Sequence, residues 1–170
     1  MKILITGPES SGKSTTAQEL VGVLDGTLLS EYARTYLQEN GLQYTKEDLT
    51  TIAKQHHINF NNIIKGNTKK PIVCDTFLLN IKIWSDVKYG SCDPWIINAL
   101  EQIQFDVILL MKPNIPWVND PLRESKDSRD LLFQIYQQEL EKLNWKYFII
   151  DEKLESRNQQ AVDNVNNVQQ

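Results

Sequence analysis

The run Gly7-Pro8-Glu9-Ser10-Ser11-Gly12-Lys13-Ser14 constrains this chain more than any other eight residues in it. It follows the apolar stretch Ile3-Leu4-Ile5 and leads into a helix predicted to start near Lys13, so it reads as a strand-to-helix turn. The two glycines let the backbone turn until its N–H groups converge at the positive end of that helix. Convergent N–H groups beside an ammonium are a receptor for phosphate. In a G-x-x-x-x-G-K-[ST] loop the lysine neutralises the outer phosphates of a nucleoside triphosphate, and the hydroxyl after it ligates magnesium. Gly7, Glu9, Ser10, Ser11, Gly12, Lys13, Ser14 and Thr15 are therefore the candidate ATP-binding set.

The rest of the chain supplies the frame such a loop needs. Ile72-Val73-Cys74, Val107-Ile108-Leu109-Leu110 and Tyr147-Phe148-Ile149-Ile150 repeat the apolar character of Ile3-Leu4-Ile5, with a shorter candidate at Thr27-Leu28-Leu29. Helical sequence separates them, which describes an α/β fold: a parallel five-stranded sheet covered on both faces, three layers in all. Thr45-Lys46-Glu47-Asp48 resembles a capping box, with Leu49, Ile52, Ala53, Phe60, Ile63 and Ile64 on one face behind it. Asp93-Pro94 sets a cap before a proline at the first helical position. Ser128 is predicted to open a helix carrying Leu131, Leu132, Ile135, Tyr136 and Leu140 at helical spacing. At 170 residues this is one domain, assigned here to residues 1–160. Residues 161–170, rich in Asn, Gln and Val, read as a C-terminal tail, either a fraying helix or disordered.

Composition narrows the partners. No apolar run approaches the roughly 18 residues that a membrane span needs, and the N-terminal sequence lacks the features of a secretory signal, which predicts a cytoplasmic protein. A net charge of −4 argues against a nucleic-acid surface while leaving room for a basic pocket around a small anion. Cys74 and Cys92 lack the spacing of a zinc site or disulfide framework, and Cys74 reads as core.

What is done with a bound triphosphate depends on residues elsewhere. Asp75 ends the third predicted strand, where a parallel sheet binds ligands, and is a candidate for magnesium; it would also suit a helix cap. Glu31, after the short second strand, is placed to accept a proton or hold a ribose, or to act as a first-turn acid, with Arg34 one turn onward. Residues 112–129 form a long polar excursion bearing Arg123 and Arg129, which reads either as a lid over the phosphates or as a solvated loop. Trp84, Tyr89 and Trp117 are candidate walls for a ligand, with core packing as the alternative. His56 and His57 are adjacent on a helix and point different ways, a poor metal pair.

Taken in order, the loop Gly7–Ser14, Glu31-Tyr32-Ala33-Arg34, Ile52-Ala53-Lys54-Gln55, Asp75-Thr76, Trp84 with Tyr89-Gly90, and Pro116-Trp117-Val118-Asn119-Asp120-Pro121-Leu122-Arg123 resemble the ribosylnicotinamide kinase domain of NadR-type proteins. The resemblance implies a nucleoside-kinase-like P-loop fold with a lid, and ATP-dependent phosphorylation of the 5'-hydroxyl of nicotinamide riboside to nicotinamide mononucleotide. It implies Lys13 and Ser14 for ATP and Mg2+, Asp75 for the metal or acceptor, and Arg123 and Arg129 for the lid. A kinase for another nucleoside, or a nucleotide-binding regulatory module without transfer activity, are the other readings. The family commonly reads Asp-Thr-Asp where this chain has Asp75-Thr76-Phe77, so one carboxylate is expected to be missing from the site.

Overall fold

Side chains of successive strand residues face opposite ways, and here the two sets build two separate cores. The computed structural model describes residues 1–66, 69–153 and 155–169. Its strands are β1 (Lys2–Thr6), β2 (Thr27–Leu29), β3 (Ile72–Asp75), β4 (Val107–Met111) and β5 (Phe148–Ile150). They form one sheet in the order β2-β3-β1-β4-β5, and every pairing is parallel. Among the described residues seven α-helices connect and follow them: α1 (Lys13–Leu24), α2 (Tyr32–Asn40), α3 (Lys46–Gly66), α4 (Leu78–Tyr89), α5 (Pro94–Glu101), α6 (Arg129–Lys142) and α7 (Glu155–Gln169).

Ile3 and Ile5 of β1 join Val73, Leu109, Met111 and Ile150 in a core under α1 and α7. Leu4, Cys74, Ile108 and Leu110 face the other way, into a larger core with residues of α3 to α6. The three layers expected of the sequence are thus present. Each fully buried Ile or Leu contributes roughly 1.5–3 kcal/mol relative to exposure. β5 is an edge strand, and its Phe148 and Ile149 remain partly exposed.

Local chemistry sets several helix ends. The Asp48 carboxylate accepts from the Thr45 N–H and hydroxyl, and the Asp48 N–H donates back to the Thr45 hydroxyl, closing the predicted capping box at the start of α3. Asp93 accepts the Trp95 N–H at 2.8 Å ahead of Pro94. Three expectations need correction. Ser128 does open α6 as its N-cap, but Leu131 is 60% exposed, because it lies off the face that Tyr136 and Leu140 bury. Ile64 is likewise exposed in the last turn of α3. The boundary at residue 160 falls inside α7, whose Ala161, Val162 and Val165 are buried beneath the sheet; Gln170 lies outside the described residues. Among the described residues no helix is long and apolar enough to cross a membrane.

Candidate active site

β1 is the central strand, and the loop that leaves its carboxyl end sits where connections diverge to the two halves of the sheet. Gly7 turns the chain at φ +131°, and a Cβ there would lie 2.7 Å from the Met111 carbonyl oxygen of β4. Gly12 closes the loop at φ +86° as the residue before α1. Between them Ser10, at φ +52°, adopts a left-handed conformation uncommon for a side chain. Its hydroxyl accepts the Val118 N–H at 2.9 Å, and its carbonyl accepts from Arg129.

Lys13 folds back over the loop and donates to the Pro8 carbonyl at 2.6 Å. Burial lowers its pKa, and the carboxylates of Glu31, Asp75 and Glu9 oppose that shift. Glu31 shows the complementary behaviour: burial raises its pKa, and Lys13 is the largest opposing influence. Glu31 is half-buried, and its carboxyl and the Lys13 ammonium act on each other across the same cavity. Glu31 precedes α2 without its side chain capping the helix, which leaves the carboxylate to face the cavity.

Asp75 ends β3 beside Ile5 of β1. It caps no helix, since α4 begins three residues later, and its buried Oδ1 has no hydrogen-bond partner among the described residues. Among those residues no cluster of three His, Cys, Asp or Glu side chains could hold a metal alone. An unpartnered carboxylate oxygen at Asp75 fits magnesium, which is commonly held by one or two protein oxygens together with substrate phosphates.

The segment between β4 and α6 lies over the loop and is fastened to it. The Glu9 carboxylate accepts the N–H of Glu124 at 3.0 Å and of Ser125 at 2.9 Å. Arg123 donates to the Val118 carbonyl at 2.6 Å, and Arg34 pairs with Asp120 at 2.9 Å, joining α2 to the segment. Lys88 of α4 pairs with Glu124 at 3.2 Å and lies over the Tyr44 ring.

The cavity beneath is about 260 Å³, room for a small ligand rather than a polymer. Gly7, Glu9, Ser10, Ser11, Gly12, Lys13, Ser14, Thr15, Glu31, Arg34, Trp84 and Arg123 all line it. The remaining candidates do not. Asp75 is buried at the strand end. The Tyr89 hydroxyl donates to the Tyr44 carbonyl at 2.7 Å, bracing the wall from behind. Arg129 donates to the Ser10 and Ile115 carbonyls, with Trp117 stacked 5.6 Å from its guanidinium. Phe77 is 1% exposed and packs on His56, Phe60 and Phe105, so the position where the family commonly carries a second carboxylate faces the core here.

Sequence reasoning missed Asn80 and Tyr136, which line the cavity. Asn80 receives the Thr6 hydroxyl at 2.8 Å and donates to the Tyr136 hydroxyl at 2.8 Å. A lone polar residue inside Phe77-Leu78-Leu79-Asn80-Ile81 was an available signal. Arg157 was missed as well, and nothing local marks it: it is buried and donates to the Ser11 carbonyl of the loop, 146 residues away in sequence.

A parallel sheet with a phosphate-receiving loop at the carboxyl end of its central strand, an arginine-bearing segment above it and a carboxylate opposite its lysine defines a P-loop nucleotide-binding domain. The profile of the AAA-domain family matches residues 2–157, and the chain belongs to that family. It is homologous to the trifunctional NAD biosynthesis/regulator protein NadR of Salmonella typhimurium, 30% identical over 134 residues that make up 75% of this chain and 32% of that protein. NadR of Escherichia coli is 28% identical over 163 residues, 89% of this chain and 38% of its own length. The chain thus spans about a third of the relatives it matches. Its fold superposes on a crystal structure of NadR with NAD and AMP-PNP at a TM-score of 0.82 and 18% identity, over 98% of this chain and 49% of that one. NadR in complex with NR gives 0.79 and 16%, over 98% and 51%. Deoxyadenosine kinase from M. mycoides gives 0.68 and 17%, over 99% of this chain and all of that one.

Proposed function

We propose that the protein is an ATP-dependent kinase that phosphorylates the 5'-hydroxyl of nicotinamide riboside, giving nicotinamide mononucleotide. The observation that carries this reading is one cavity shared by the phosphate loop and Glu31, in a chain homologous to NadR. Deoxyadenosine kinase shares the fold, so the same frame suits a nucleoside acceptor.

In this reading the loop N–H groups and Lys13 bind the β- and γ-phosphates, which releases the Lys13 ammonium from the Pro8 carbonyl. Ser14 and Asp75 would hold Mg2+, which offsets charge on the transferring group when bound. Glu31, which lines the cavity with Lys13, takes the proton of the acceptor hydroxyl. Arg34 and Trp84 border the acceptor end of the cavity. Arg123 reaches the γ-phosphate region from above, while Arg129 fixes Ser10 and the covering segment, with Trp117 stacked on it and Tyr89 bracing the wall. Covering the cavity keeps water from competing with the acceptor. The cellular setting we propose is the cytoplasm.

The test is formation of nicotinamide mononucleotide from ATP, Mg2+ and nicotinamide riboside, followed by mass spectrometry, with deoxyadenosine and other nucleosides in parallel. Product is expected from nicotinamide riboside and is lost in Lys13→Ala. Phosphorylation of another nucleoside in its place would reassign the acceptor. No product from any nucleoside at high enzyme concentration, with ATP still bound, would leave a binding module.

A further inference from the structure

The C-terminal helix grips the phosphate loop from behind. Arg157, 3% exposed, donates to the Ser11 carbonyl at 3.0 Å, to the Lys112 carbonyl after β4 at 3.1 Å and to the Ile150 carbonyl of β5 at 3.4 Å. It also donates to the Asn114 side chain. Its Cδ packs where Gly12 leaves room, 3.4 Å from the Cβ that any other residue would carry there. The next residue, Asn158, accepts the Thr16 hydroxyl at 2.8 Å one turn into α1. Two neighbouring residues of α7 therefore hold the chain on both sides of Lys13 and Ser14.

The charge on Arg157 is as informative as its contacts. It forms no ion pair among the described residues, and its buried Nε has no partner there. A buried guanidinium satisfied only by carbonyls is costly in the free protein. Its position behind the loop puts positive charge, offset in part by Asp151 but by no direct ion pair among the described residues, next to the site where a triphosphate would bring negative charge.

We infer that Arg157, assisted by Asn158, is a positioning residue for the triphosphate: it holds the Ser11 carbonyl so that the loop N–H groups face the phosphates, and its charge is offset when the nucleotide binds. This rests on the loop as a triphosphate site and not on which nucleoside is phosphorylated.

The experiment measures ATP and nucleoside affinities separately by calorimetry, in the intact chain, for Arg157→Lys, Arg157→Met and Asn158→Ala. Loss of a charged hydrogen bond predicts ATP binding weaker on the order of tenfold in Arg157→Met. Arg157→Lys is expected to recover part of it through charge alone, and added guanidinium ion to rescue Arg157→Met. Nucleoside affinity should stay within about twofold, because the grip acts on the loop and not on the acceptor end. Equal losses for both ligands, or unchanged ATP affinity in folded Arg157→Lys and Asn158→Ala, would overturn the inference. If Arg157→Met does not fold, those two variants decide. An unsubstituted protein that fails to bind ATP would remove the triphosphate site itself, a different result from variants that bind as well as it does.

Discussion

The Nε2 atom of His56 lies 3.3 Å from the carbonyl oxygen of Thr76, the residue that follows Asp75. Thr76 sits at φ +70°, a conformation that a β-branched residue rarely adopts, and its N–H is tied to the Ile5 carbonyl at 3.0 Å. The other ring nitrogen of His56 accepts the Tyr32 N–H, directly after Glu31. One imidazole thus braces the turns that carry both candidate carboxylates, and it does so as the neutral ring, because burial pushes its pKa down from 6.5 to about 4. A depressed histidine contributes stability above its unfolded pKa that is lost as pH falls toward the folded one. The expected contribution to the difference in stability between about pH 7 and about pH 4.5 is on the order of 2 kcal/mol. Glu31, with its raised pKa, acts in the opposite sense, so the comparison with His56→Gln isolates the histidine. Chemical denaturation at the two pH values should show a shallower loss on acidification in the variant.

Phe77 tests the meaning of a family departure. Its ring lies 4.8 Å from Phe60 and 5.6 Å from Phe105, centroid to centroid, and it is buried among core side chains, outside the lining of the phosphate-loop cavity. Phe77→Asp is therefore expected to put a carboxylate into the core and cost more than about 4 kcal/mol, with no gain in activity. Phe77→Leu should cost about 1–2 kcal/mol and leave ATP affinity unchanged. Thermal denaturation and ATP titration of the two variants check this, and a gain of turnover in Phe77→Asp would contradict the observed orientation.

The contrast between Phe77 and the phosphate loop shows what a sequence can reveal. The strands were legible because each is a short apolar run with turn or helical sequence on both sides, and Cys74 or Leu110 has no other stable place than a doubly covered sheet. The caps at Thr45 and Asp93 were legible because their partners lie two or three residues away. The loop was legible because one continuous peptide does the binding chemistry. Where Phe77, Tyr89 and Trp117 point depends on which helix packs on which, and nothing near them in sequence carries that information. Arg157 is the extreme case: its role depends on Ser11, Lys112 and Ile150 meeting in space. α7 itself, polar in composition, looked like a tail because only its Ala161, Val162 and Val165 face is apolar.

Glu9 is not only a member of the loop. Its carboxylate receives two backbone N–H groups of the covering segment, while the side chain of Glu124 in that segment reaches Lys88 and the Tyr44 hydroxyl. Residue 124 is therefore held through both its backbone and its side chain. Glu9→Ala is expected to speed hydrogen exchange at the Glu124 and Ser125 amides by about tenfold to a hundredfold, the range for losing a charged acceptor. Lys88→Ala should have a smaller effect on the same amides, since an exposed pair contributes little. Exchange followed by mass spectrometry distinguishes the two, and equal protection in Glu9→Ala and the unsubstituted protein would show that the segment is held by other contacts.

Gly7 is the position at which the sheet and the loop make incompatible demands on any side chain. Its φ of +131° lies outside the range open to L-residues with a Cβ, and the added atom would meet backbone, the Met111 carbonyl oxygen at 2.7 Å, not a side chain that could swing away. Met111 cannot retreat, because β4 is paired with β1 on one side and β5 on the other. Gly7→Ala is therefore expected to cost about 3 kcal/mol and to displace the loop N–H groups from the phosphates. Gly22→Ala is the control: it lies within α1, a Cβ there meets nothing within 4 Å, and the change should be neutral or stabilising by up to about 1 kcal/mol. Urea denaturation and ATP titration of both variants should therefore separate them, with stability and affinity falling together only in Gly7→Ala.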